Sequence, residues 1–189
     1  MKWRGFLVVS ALVLAGCSSR MEPAPEVEQP TLYQVMKDEI DPKADEIWAI
    51  GNAAIGDQAG LDPNLMTDES WSALALHATD LQQAALKLAS LDPIVVARPG
   101  VTILDEGVPG GHSAAQVQQQ INDNPQLMRD MSRALAAHAG GIAAAARAQD
   151  AATAGPLIDQ LDSVCESCHL EFWYPSQKAL VEQIENEIR

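Results

Sequence analysis

The sequence predicts an all-α protein whose helices pack as a four-helix bundle. Three observations carry this. Ala, Leu, Gln and Glu dominate the chain beyond residue 30, and all are strong helix formers. Apolar residues recur at helical spacing in four segments, while strand signals are nearly absent. One long Gly/Pro-rich connection interrupts otherwise short ones, as bundle topologies allow.

Taken in order, residues 1–16 read as a signal peptide. Lys2 and Arg4 precede the short apolar run "FLVVSALVLA", which is too short to span a membrane as a stable helix. Leu14-Ala15-Gly16-Cys17 resembles the lipobox of bacterial lipoproteins. That resemblance implies cleavage before Cys17, a lipid on its thiol, and anchoring to a membrane from the periplasm. Ser18 and Ser19 follow instead of an acidic retention signal, which favours the outer membrane. Residues 17–30 are rich in Pro and Glu and read as a flexible tether. Loss of the leader would leave 10 basic against 26 acidic residues, a net charge of −16. Such a chain excludes nucleic acid as a partner and suits docking to a basic protein patch.

The bundle domain spans 31–175. Its first helix opens at Thr31, whose spacing to Gln34 is that of a capping box. Leu32, Met36, Ile40, Ala44, Ile47 and Trp48 follow on one face, and Pro42 should kink this helix or restart it. The second helix runs from Thr67 to Ser90, with Asp68 and Glu69 in its first turn. Trp71, Leu74, Leu81 and Leu88 form its apolar stripe. Residues 92–113 form a long loop, a kind that is usually functional or mobile. The third helix covers 113–147, with a break or a fresh start at Asn124-Pro125. Met128, Met131, Leu135 and Ile142 face its core side. Gly140 and Gly141 permit close approach of a neighbouring helix or a flat ligand. The fourth helix is expected to start at Gly155-Pro156, with Leu157, Leu161, Val164, Cys165, Cys168 and Phe172 on one stripe. Pro175 ends or bends it, and 176–189 continue as an amphipathic helical tail.

The run "SVCESCHLEFWYP" carries the chemistry. A structural zinc needs four ligands, and His77, His112 and His138 lie far from the Cys pair in sequence. A redox dithiol sits at the start of a helix after a strand, and this pair lies well inside a helix. A buried structural pair is a further reading, but exported thiols rarely stay reduced. Covalent haem fits every part. Cys165 and Cys168 are three apart on one helix face, so each thiol can take one vinyl group. His169, four after Cys165, shares the face and can reach the iron as proximal ligand.

The run lies in the last helix of a four-helix, Ala-rich chain. In this the chain resembles the class II cytochromes c, the cytochrome c′ family, over residues 31–174. "LEFWYP" departs from the basic residues that often follow the motif in that family, and the tail after Pro175 is extra. The resemblance implies one covalent haem c on Cys165 and Cys168, with His169 on the iron, and pairing of bundles as homodimers. It also implies two functions. Members with an open sixth position bind nitric oxide or carbon monoxide. Members with a methionine from the first helix transfer electrons. Met36 is the one methionine of the first helix and the candidate sixth ligand. The alternative for Met36 is a core side chain filling a gap.

Met66, Met128 and Met131 are weaker rivals, and His77 or His138 would give bis-His ligation. His112, Arg98 and Lys37 are candidates to meet a haem propionate, and Tyr33 would suit an open gas pocket. Trp48, Trp71, Phe172 and Trp173 read as packing. No nucleophile–base pair or paired carboxylate supports an enzyme. The expected role is therefore a single-electron carrier of the bacterial envelope, with gas binding as the alternative.

Overall fold

A computed structural model describes residues 28–57 and 60–188. The expected leader, the expected lipidation site at Cys17 and most of the expected tether lie outside the described residues. Among the described residues the chain is all-α, with no strand beyond a single bridge between Ile55 and Leu61.

The first helical run is α1 (Leu32–Val35), a π-helical turn (Met36–Ile40) and α2 (Asp41–Ala53). Thr31 caps it as expected. Its hydroxyl accepts from the Gln34 amide at 3.2 Å, and the Gln34 side chain accepts from the Thr31 amide at 2.9 Å. The next orphan amides, Leu32 and Tyr33, donate to the Val95 and Val96 carbonyls at 2.8 and 3.0 Å. Pro42 falls in the first turn of α2, directly after the π turn.

Helix α3 (Asp68–Ser90) starts on its Thr67 cap, which accepts from the Ser70 amide at 3.1 Å. The expected break at Asn124 is a fresh start. It separates α4 (Ala114–Asp123) from α5 (Pro125–Arg147), with the Asn124 side chain accepting from the Leu127 amide at 3.2 Å. The expected start of the last long helix is corrected. Helix α6 (Ala151–Phe172) begins four residues before Gly155, and Pro156 lies inside it. Asp150 is its cap, accepting from the Thr153 amide at 3.1 Å and its hydroxyl at 2.7 Å. Burial of Ala154 and Gly155 offsets the hydrogen bond that Pro156 cannot give. A 3₁₀ turn (Pro175–Gln177) then leads into α7 (Lys178–Ile188).

Helix α2 packs on α3 and α6, and α5 packs on the same two; α4 adds to the α5 and α6 side. Leu74, Leu81, Ala139, Ile142, Leu161 and Phe172 are buried between them. Each large apolar side chain removed from water contributes roughly 1.5–3 kcal/mol. Small residues set the helix separations. A Cβ on Gly141 would lie 3.3 Å from Leu157 of α6, and one on Gly51 of α2 would lie 2.9 Å from Ile158. The close approach expected at Gly140-Gly141 is thus to α3, through Gln82, and to α6.

The long loop between α3 and α4 is packed by its own side chains. Ile94, Val96 and Ile103 are buried in the core. Gln29 and Arg98 tie its start to the residues before α1. Gln29 donates to the Pro93 carbonyl at 2.9 Å, and Arg98 donates to the Gln29 carbonyl at 2.8 Å.

Candidate functional site

Helical spacing puts Cys165, Cys168 and His169 on one side of α6, half-buried. All three line a cavity of about 450 Å³. Ile40 of the π turn, Ala44 and Trp48 of α2, Leu88 of α3 and Leu135 of α5 supply apolar wall. A volume of roughly 300–1,000 Å³ with apolar walls and few polar groups is typical of cofactor sites. Asp41, Asp45, Asp162 and Glu166 add acidic groups to the lining.

Electrostatics at this wall keep the three groups neutral. Burial pushes the Cys165 thiol up to about 11, with the Asp162 and Asp41 carboxylates adding to the effect. Burial likewise pushes Cys168 up to about 12, assisted by Cys165 and Glu171. The His169 imidazole is lowered by burial, with Asp41 and Asp105 pulling the other way. Asp41 is itself raised by loss of hydration, against the pull of His169. A dithiol redox centre needs a depressed thiol, and both of these are raised. A neutral imidazole leaves one ring nitrogen free to ligate a metal. Among the described residues no three His, Cys, Asp or Glu side chains converge as a cage for a metal ion.

The turn that carries His169 is held from below. Trp173 and Tyr174 donate backbone amides to the His169 carbonyl, each at 2.8 Å, and the Trp173 ring meets the imidazole edge-on at 5.9 Å. The His112 amide donates to the Trp173 carbonyl at 2.9 Å, and its Nδ1 lies 3.1 Å from the Phe172 carbonyl. These contacts satisfy carbonyls at the end of α6 that the helix leaves open. Tyr174 also lines the cavity, and its hydroxyl donates to Asp105 at 2.6 Å. Asp105 holds a left-handed backbone, with φ 62°.

Five of the sequence candidates meet at one cavity: Cys165, Cys168, His169, Met36 and Met131. The others separate. Met128 and Met66 are both buried in the core. Neither His77 nor His138 lines the cavity, and His138 Nε2 lies 2.7 Å from the Leu157 carbonyl. The candidates for a propionate lie elsewhere. His112 is engaged at the end of α6, Arg98 pairs with Glu28 at 2.6 Å, and Lys37 is exposed off the cavity wall. Tyr33 packs on the core outside the lining. Among the aromatics, Trp48 lines the cavity and Trp71 is buried in the core. Met131, read from the sequence as a weaker rival to Met36, lines the same cavity from α5. Its position beside Ser132 and Leu135 was legible, but not which side of α5 faces the Cys-bearing helix. No protein-family model, curated protein or solved structure matches the chain.

Proposed function

We propose that the chain is a c-type cytochrome with one covalent haem c, carrying single electrons in the bacterial cell envelope. The bundle is of the class II type, anchored through a lipid on Cys17. One observation carries the reading: Cys165, Cys168, His169 and Met36 line the same cavity of about 450 Å³. The donor set fits the group. Two neutral thiols can each add S–H across a vinyl double bond, and His169 offers a neutral ring nitrogen. Haem held there would supply an iron that takes up and gives back one electron. Cys165 and Cys168 would fix its position on α6. His169, held by the Trp173 and Tyr174 amides, would keep a set orientation. Met36 would occupy the sixth position with a soft thioether, which favours electron transfer over gas binding. Asp41, Asp45, Asp162 and Glu166 line the cavity and suit a partner with a basic face.

The test is direct. Purified holoprotein should give the pyridine haemochrome of c-type haem. Cys165→Ala/Cys168→Ala should lose haem to acid–acetone extraction. Met36→Leu should lose the weak methionine–iron charge-transfer band and gain carbon monoxide binding. Wild-type ferrous protein that binds carbon monoxide readily at neutral pH would sink the carrier reading in favour of gas binding.

A further inference from the structure

Leu32, Met36, Ile40, Ala44 and Trp48 are spaced by four residues throughout. A straight α-helix cannot hold that pattern on one face. At about 100° per residue, each step of four over-rotates by about 40°, or about 160° from Leu32 to Trp48. Yet Met36, Ile40, Ala44 and Trp48 all line one cavity. The π turn at Met36–Ile40 reconciles the two facts. A π turn holds one extra residue, which sets the phase back by about 100°.

Pro42 accounts for the π turn. In α register the residue at 42 would donate its amide to the Asp38 carbonyl. Pro42 has no such donor, and its ring would press on that carbonyl. The Asp41 amide instead bonds to the Met36 carbonyl, five residues back. We infer that Pro42 is a positioning residue: it holds Met36–Ile40 in π register and so keeps Met36 in the cavity wall. The spectral consequence rests on the haem reading above, whereas the placement of Met36 does not.

The experiment is peroxide oxidation of the holoprotein, with each methionine followed by mass spectrometry. In Pro42→Ala the turn relaxes to α register, and Met36 rotates off the wall. Its oxidation should become several-fold faster, while Met131, on the same cavity from α5, should keep its wild-type rate. A second variant combines Pro42→Ala with deletion of Asp38. Eleven residues then separate Met36 from Trp48 in a regular helix, a phase error of only about 20°. Protection of Met36 should return, and with it the wild-type haem spectrum. The inference is overturned if Pro42→Ala leaves Met36 protected. It is equally overturned if Met131 is exposed alongside Met36, or if the deletion fails to restore protection. A Met36→Leu spectrum identical to wild type would instead remove Met36 as a haem ligand, and the oxidation pattern would still decide the role of Pro42.

Discussion

Replacing Gly51 by Ala should push α2 away from α6, and the size of the effect can be worked out atom by atom. The new Cβ would lie 2.9 Å from Ile158 Cγ2. That methyl branches at Cβ and cannot swing aside, because an isoleucine in a helix is nearly fixed at χ1. Two effects oppose each other. Ala gains about 1 kcal/mol over Gly in a helix interior. Overpacking costs roughly 1–3 kcal/mol. The net cost of Gly51→Ala is therefore about 0–2 kcal/mol. Ile158→Ala removes the obstructing methyl and by itself costs roughly 2–5 kcal/mol. In that background the clash is gone, so Gly51→Ala should stabilise by about 1 kcal/mol. The signature is a coupling of about 1–3 kcal/mol in a double-mutant cycle, read from urea midpoints with unchanged m-values. Equal effects of Gly51→Ala in both backgrounds would refute this account of the α2–α6 contact. The contact matters for the site, since α2 carries Ala44 and Trp48 while α6 carries the Cys pair and His169.

Two further outcomes follow from the caps. Thr31→Ala should cost about 1 kcal/mol, because it takes the acceptor from the Gln34 amide at a buried helix start, and Thr31→Ser should recover most of it in the same urea titration. Asp150 is held below the usual carboxylate range by its hydrogen bonds from Thr153. A carboxyl lowered on folding adds stability that is complete above its unfolded value and fades as the pH falls through the folded one. The stability advantage of wild type over Asp150→Asn should thus shrink below about pH 4, and a gap that stays constant from pH 6 to pH 3 would contradict the cap.

Local rules were legible wherever the deciding atoms lie within a few residues. Thr31, Thr67 and Asn124 each accept from an amide three residues on, and each marks a helix start that residue pattern alone located. The start of α6 was missed for the same kind of reason. Gly155-Pro156 is a strong local start signal, but Asp150 offers a better acceptor, and the helix gains by burying Ala154 and Gly155. The loop before α4 looked mobile because Gly and Pro are its conspicuous residues. Its sparse apolar ones, Ile94, Val96 and Ile103, found places in the core instead.

By itself, the sequence determined that the chain is helical and that Cys165, Cys168 and His169 share a helix face. Both are consequences of spacing within one helix, where 3.6 residues make a turn. Only the tertiary structure decided what faces them. Met36 reaches the cavity through a π turn that shifts the phase of its helix, and Met131 reaches it from the side of α5 turned toward α6. Periodicity names the residues of a stripe, but the direction a stripe faces is set by the packing of all the helices together, and no single segment contains that information.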